Sequence, residues 1–173
     1  MTRILLLGCA GSGKTTLARR LSESTGAPVI DLDAIWRGRV QETSDFRATL
    51  QALHAQDAWI SDGNFAAVTF DLRMPRADLV VWLDRPRLSC AWRAITRTFH
   101  AGEMHRPRDL ATVLRFIWNF ERQNRPRIEA LRMQHGPDVP VVRLRSDSEV
   151  AAFLAHASPL EVVRTPTPPV AAE

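Results

Sequence analysis

The sequence predicts an α/β domain, a three-layer sandwich with helices on both sides of a five-stranded parallel sheet. Short apolar runs at residues 4–7, 29–33, 58–62, 77–84 and 139–144 recur at intervals that leave room for a helix between them. The run Ala77-Asp78-Leu79-Val80-Val81-Trp82-Leu83-Asp84 is almost continuously apolar, as a strand buried on both faces must be. Between the runs, apolar residues fall at helical spacing, as in Phe46, Leu50 and Leu53.

The first run leads into Gly8-Cys9-Ala10-Gly11-Ser12-Gly13-Lys14-Thr15-Thr16, which matches the phosphate-binding pattern G-x-x-x-x-G-K-[ST] at every defined position. Residues 15–22 behind it read as an amphipathic helix, so strand, loop and helix come in the order that a P-loop requires. Gly8, Gly11, Ser12 and Gly13 let successive N–H groups face a phosphate at the positive end of the helix that Thr15 and Thr16 begin. Lys14 supplies a mobile charge and the Thr15 hydroxyl a ligand for Mg²⁺. Lys14 is also the single lysine among 23 Lys and Arg side chains. Elsewhere the chain uses the planar guanidinium, and the compact ammonium is kept for the place where a charge must slide between phosphates. A bound nucleoside triphosphate, ATP with Mg²⁺, is the expectation.

The second run, Val29-Ile30-Asp31-Leu32-Asp33, reads as a strand ending in two carboxylates at the sheet edge where ligands bind in open α/β folds. Asp31 and Asp33 alternate onto one side of an extended segment, where they can hold Mg²⁺ or an acceptor, or else cap the next element. Arg37 and Arg39 follow on a polar loop. Ser44 reads as the N-cap of a helix reaching residue 55. The third run ends at Asp62 before Gly63-Asn64-Phe65, and a carboxylate closing a buried strand beside the P-loop suits a Walker-B-type partner for the metal.

After the fourth run, a helix over residues 87–99 places Arg93 and Arg97 one turn apart on one face, able to clamp phosphates. Residues 100–108 have the composition of a short lid. Asp109 is expected to cap a helix whose aromatic side chains, Phe116, Trp118 and Phe120, pack into the core. Pro126 marks a break or a new first turn, putting Arg125 and Arg127 at a helix boundary. The fifth run is followed by Ser146-Asp147-Ser148-Glu149, a capping box opening the last helix. Residues 158–173, with four prolines, are expected to be a disordered tail after a single domain over 1–157.

At 173 residues the chain suits one domain with a substantial core. The net charge of +4 favours polyanionic ligands, from nucleotides to nucleic acid, without choosing between them. Two cysteines make no disulfide framework, and no run is long enough for a leader or a membrane span, so a cytoplasmic setting is expected. Internal repeats, zinc-ligand spacings and heptads are lacking.

The order of P-loop, Asp31-Leu32-Asp33, Asp62-Gly63-Asn64-Phe65 and Asp84-x-Pro86 with Arg93 and Arg97 is similar to the adenylate and shikimate kinase group. Asn64 and Phe65 replace the Phe-Pro pair that follows Asp-Gly in nucleoside-monophosphate kinases. A closer resemblance, over roughly residues 3–155, is to the adenylate-kinase-related FlaR-type proteins, often labelled DNA topology modulation proteins. It lies in Leu32-Asp33 with Trp36, Trp59-Ile60-x-Asp62-Gly63-Asn64, Leu83-Asp84-x-Pro86-Arg87, Trp118-Asn119-Phe120 and Arg125-Pro126-Arg127. The resemblance implies a kinase-like P-loop fold in which Arg93 and Arg97 stack on the donor base and clamp phosphates, with Arg125 and Arg127 on the lid side.

Two functions follow as expectations. One is transfer of the γ-phosphoryl group of Mg-ATP to a small acceptor, with Lys14, Arg93, Arg97, Arg125 and Arg127 neutralising the moving charge. The acceptor would lie between Asp33, the helix from Ser44, and Arg73; Asp33 orients or deprotonates a hydroxyl, whereas a phosphate acceptor would call on Arg37 or Arg73. The other is a nucleotide-dependent regulator that binds nucleic acid, for which no DNA-binding motif is present.

Overall fold

Side chains of successive strand residues point to opposite faces of a sheet, and that alternation builds two cores here. Leu5, Leu7, Trp59, Val80 and Trp82 pack on one face with Phe46, Phe70, Ile117 and Ile128. Ile4, Leu6, Ile60, Val81 and Leu83 pack on the other with Leu17, Leu21 and Leu144. The computed structural model describes residues 2–38, 42–100 and 107–156, without the side chains of residues 98–100 and 107–109.

The five strands are β1 (Arg3–Gly8), β2 (Val29–Asp31), β3 (Trp59–Asp62), β4 (Leu79–Leu83) and β5 (Val141–Leu144). All neighbouring pairs are parallel, in the order β2-β3-β1-β4-β5, so β1 is central and its P-loop end faces the crevice above the sheet. The helices are α1 (Lys14–Thr25), α2 (Leu32–Gly38), α3 (Thr43–Leu53), α4 (Ala66–Arg73), α5 (Arg87–His100), α6 (Pro107–Asn119), α7 (Arg125–His135) and α8 (Asp147–His156). Helices α1 and α8 cover one face, and side chains from α3 to α7 cover the other. None of the described helices is long and apolar enough to cross a membrane.

The predicted architecture is present, with local corrections. The second strand stops at Asp31, and Leu32 begins α2, so Asp33 and Arg37 are helical and Asp31 and Asp33 do not share one side of an extended segment. Asp31 Oδ1 accepts the Ala34 N–H at 2.9 Å, capping that helix. Ser44 lies inside α3, whose N-cap is Glu42. Helix α6 begins at Pro107 rather than at an Asp109 cap, because proline suits a first turn where its missing N–H has no partner to lose. Helix α4 was not foreseen; it is short and starts from a left-handed residue, Phe65, without a capping side chain. Of the three aromatic residues expected in the core, only Phe120 is buried; Phe116 is 38% and Trp118 58% exposed. Arg39, residues 101–106 of the expected lid and the tail at 158–173 lie outside the described residues, and both ends of the lid segment are helical.

Between α6 and α7 the helix widens into a π turn, Phe120–Asn124. Pro126 has no N–H to donate and its ring crowds the carbonyl of residue 122, which a wider turn relieves.

One buried polar chain ties α3 to β3. His54 is 1% exposed. Its Nδ1 lies 2.7 Å from Leu50 O, a group that can only accept, so Nδ1 carries the proton. Ser61 Oγ then donates to Nε2 at 2.9 Å and accepts from Arg73 Nη1 at 3.0 Å. Burial, with Arg73 and Arg76 nearby, pushes the His54 imidazole down to about 4 from an ordinary 6.5, although Leu50 O opposes the shift. The unfolded chain therefore takes up its proton first as the pH falls. Stability is expected to be full above 6.5 and to fall progressively toward pH 4, by about 3 kcal/mol from this group. Denaturant titrations across that window test this, and a pH slope in His54→Gln equal to that of the unaltered chain would remove His54 as the source.

Candidate active site

The P-loop is built from close approaches of backbone to backbone. Gly11 has φ +75°, and a Cβ there would meet Cys90 O of α5 at 2.3 Å, so only glycine fits against that helix. Gly8 N donates to Asn64 Oδ1 at 3.3 Å, while Asn64 Nδ2 donates to Gly8 O at 2.9 Å. The side chain after β3 thus staples the start of the loop. Ser12 is buried, with its N–H on Cys9 O at 3.2 Å. Lys14 Nζ folds back onto Gly8 O at 3.1 Å and Cys9 O at 2.9 Å. Burial holds its ammonium below the usual lysine range, and Asp62 and Asp33 pull the other way. Two carbonyls are weak partners for an ammonium, so an incoming phosphate competes well for it.

Thr15 Oγ1 donates to Asp62 Oδ2 at 2.7 Å. The register that permits this pairs Leu6 with Asp62 across β1 and β3, and Asp31 with Asp62 across β2 and β3. Burial raises the Asp62 carboxyl above the ordinary range; Thr15 and Lys14 oppose the shift, whereas Asp31 and Asp33 add to it. A Thr15 hydroxyl whose proton is directed to Asp62 keeps its lone pairs open, and with the carboxylate it forms a set of hard oxygen donors at the mouth of the loop. Those donors fit Mg²⁺.

Two cavities meet above the sheet. One, of about 540 Å³, runs over Gly11, Gly13, Thr15 and Thr16 and is closed by Arg93 and Arg97. The other, of about 410 Å³, is lined by Phe65, Val68, Phe116 and Ile128 together with Asn124 and Arg127. Ala10, Lys14 and Asp33 line both. Arg93 grips both oxygens of Asp147 at 2.8 Å, while Arg85, also bound to Asp147, stands beside it. Together Arg93 and Arg85 hold that carboxyl below the ordinary range. Arg125 is turned to Asp84 and Glu121, each at 2.9 Å, and lines neither cavity.

Residues 4–117 match the AAA domain family. The chain belongs to that family. No match was found among curated proteins. Among solved structures, shikimate kinase from Bacteroides thetaiotaomicron is similar at 20% identity and TM-score 0.60, over 90% of this chain and 96% of that one. Shikimate kinase from Acinetobacter baumannii in complex with shikimate is similar at 17% and 0.54, over 88% of each chain. Deoxyadenosine kinase from M. mycoides with bound dATP is similar at 12% and 0.52, over 88% of this chain and 97% of that one. The AAA domain described here thus has the kinase-like P-loop fold of these proteins.

The structure corrects the place of Arg73. Expected beside the acceptor, it is 0% exposed. Its Nε donates to Thr69 Oγ1 at 2.9 Å, Nη1 to Ser61 Oγ and Gly63 O at 3.0 Å each, and Nη2 to Asn64 O. Arg73 therefore holds the turn after Asp62 from beneath. Its neighbour Arg47 is similarly engaged by Asp71 at 2.6 Å. Asn64 and Asp147 were not assigned roles from sequence. Asn64 was quoted within a motif without its bond to Gly8, and Asp147 was read only as part of a capping box. Its Ser146 half exists, with Glu149 N on Ser146 Oγ at 3.1 Å, while the Glu149 carboxylate accepts from Arg145 N at 2.6 Å instead of from Ser146 N. Arg73→Met in this AAA domain would leave several buried acceptors without donors, each worth about 1–3 kcal/mol. It is expected to lower the unfolding midpoint steeply, as thermal unfolding followed by circular dichroism would show. A loss of turnover with an unchanged midpoint would instead return Arg73 to the substrate side.

Proposed function

We propose that the chain is an ATP-dependent phosphotransferase that passes the γ-phosphoryl group of Mg-ATP to an acceptor held in the adjoining cavity. The observation that carries this reading is the seam: the P-loop cavity and the apolar cavity share Lys14 and Asp33. A phosphoryl group on the loop would sit on that seam, with an acceptor on its far side, and transfer is mostly a matter of positioning and charge.

Each residue then has a task. Backbone N–H groups over Gly11 to Thr16 cradle the phosphates. Lys14 leaves the Gly8 and Cys9 carbonyls for the phosphoryl oxygens. Arg93 and Arg97 close the donor side, and Arg127 faces the transferred group across the acceptor cavity. Arg125 can join only by giving up Asp84. Mg²⁺, when bound by Thr15 and Asp62 with Asp31 behind them, would neutralise phosphate charge. The kinases of similar fold, one bound to shikimate and another to dATP, are compatible with this reading. Within the AAA domain family, the motifs around Asp33, Asp62, Asp84 and Arg125 support a place among the FlaR-type proteins. A cytoplasmic setting fits the two free, buried thiols, Cys9 and Cys90.

The nucleic-acid reading is not favoured. Arg3, Arg47, Arg85, Arg93, Arg125, Arg132 and Arg143 are each paired with a carboxylate, which leaves less free positive charge for a phosphate backbone.

Lys14→Ala is expected to lower phosphoryl transfer from γ-labelled ATP by about 10²–10³-fold, the size of a lost charge-stabilising donor, with little change in unfolding midpoint. Removal of divalent cations with a chelator should do the same reversibly. Transfer by Lys14→Ala at the unaltered rate would overturn the assignment of this loop to the reaction.

A further inference from the structure

Given the phosphotransferase reading on which it rests, we infer that the acceptor is an uncharged alcohol carried on a flat ring system, and that its hydroxyl is presented to Asp33. The cavity beyond Lys14 sets one carboxylate against a largely apolar lining. At the seam stands the Asp33 carboxylate, which accepts a hydrogen bond from a hydroxyl and repels a phosphate. The rest of the lining is mostly apolar, with the rings of Phe65 and Phe116 and the aliphatic Val68 and Ile128 beside Asn64, Asn124 and Arg127.

Phe65 is held in place against a conformational penalty. It is the one non-glycine residue with positive φ among the described residues, at φ 35° and ψ 33°. A bulky side chain persists in this region only where its surroundings over-determine it, and such sites cluster where ligands bind. The surroundings here are aromatic. The Phe65 ring lies 5.1 Å from Phe46 and 6.1 Å from Trp36, which are themselves 5.1 Å apart. Phe116, which also lines the cavity, is 38% exposed, with its ring 5.7 Å from Phe120. Two aromatic walls, one rigidly backed and one open to an arriving ligand, suit a flat body of nucleoside size.

A phosphate-bearing acceptor would need guanidinium groups in the same space. Arg47 of α3 and Arg73 of α4 are committed to Asp71 and to the turn after Asp62, and Arg37 of α2 turns its Nε back onto Asp33 O of its own helix at 3.0 Å. Arg127 lines the cavity itself, and the proposed transfer assigns this one guanidinium to the moving phosphoryl group. In the step itself, the acceptor oxygen bonds to the γ-phosphorus, and the bond from that phosphorus to the β–γ bridging oxygen breaks. ADP leaves with the electron pair, and the hydroxyl proton passes to Asp33.

The test is phosphoryl transfer by the full chain from γ-labelled Mg-ATP, with ATP binding measured separately by calorimetry. One arm contains nucleosides and a second uncharged aryl and arylalkyl alcohols; a third contains ring hydroxy-carboxylates and a fourth nucleoside monophosphates. Labelling confined to the first or second arm is expected, and identifies the source of the ring. Phe116→Ala should raise the acceptor KM about tenfold, as the loss of an aromatic contact does, with the ATP KM unchanged, and Phe116→Tyr should restore it. Labelling of the third or fourth arm would overturn the acceptor class while leaving the phosphotransferase reading intact. Labelling in no arm, with Mg-ATP bound, would count against both. An equal rise in both KM values for Phe116→Ala would remove Phe116 from the acceptor wall.

Discussion

Leu6 stands opposite Asp62 across the β1–β3 ladder, and the rest of the site is arranged around that pairing. It sets a carboxylate beside the loop that leaves β1, close enough for Thr15 at the start of α1 to donate to it at 2.7 Å. A slip of one residue would turn Asp62 to the opposite face of the sheet and leave Thr15 without its partner. The register is secured from both sides, by apolar contacts on each face of the sheet and by the Asn64 amide bonded to both polar groups of Gly8. Positioning to a fraction of an ångström is what phosphoryl transfer asks of a protein, and a parallel ladder buried on both faces is a stiff way to supply it.

Beneath the site, the polar chain from Leu50 O through His54 and Ser61 to Arg73 fixes the turn that follows Asp62. A fully buried guanidinium is tolerated only where its donors are met, and here hydroxyls and carbonyls meet them in place of a carboxylate. Burial still pulls the Arg73 guanidinium down to about 9, and it remains charged at neutral pH. Because one side chain supports both the strand end and the first residues of the following turn, the geometry at Asp62, Asn64 and Phe65 forms a single unit. The left-handed Phe65 belongs to that unit.

Two carboxylates, Asp147 and Asp84, each gather more than one arginine. Arg85 and Arg93 share Asp147, and Arg125, Arg143 and Arg145 gather around Asp84. These are pairs at helix and strand ends, of small worth for stability when exposed, but able to exchange a carboxylate for a phosphate at little expense. Arg93 is placed for that exchange, with its Nη1 3.4 Å from where a Cβ on Gly13 would lie. Arg125 is not, since Asp84 and Glu121 turn it away from both cavities.

The sequence alone determined the sheet, the P-loop and the Thr15–Asp62 partnership. Each is written in local terms: apolar runs with a period, glycines and a lysine at set intervals, and a carboxylate closing a buried strand. Helix α4, the left-handed Phe65 and the early end of β2 at Asp31 were not legible, because short elements draw their stability from contacts distant in the chain rather than from their own pattern. The tertiary structure alone decided which cations are spent and which are free to meet a ligand. Arg73 and Arg127 look alike as letters, yet one is sealed among four acceptors and the other lines a cavity. Phe116 and Phe120, four residues apart and both expected in the core, differ in the same way, one at the cavity and one in the core. Composition and spacing specify what a side chain can do, whereas burial and partners, set by residues far away in the chain, select which of those things it does.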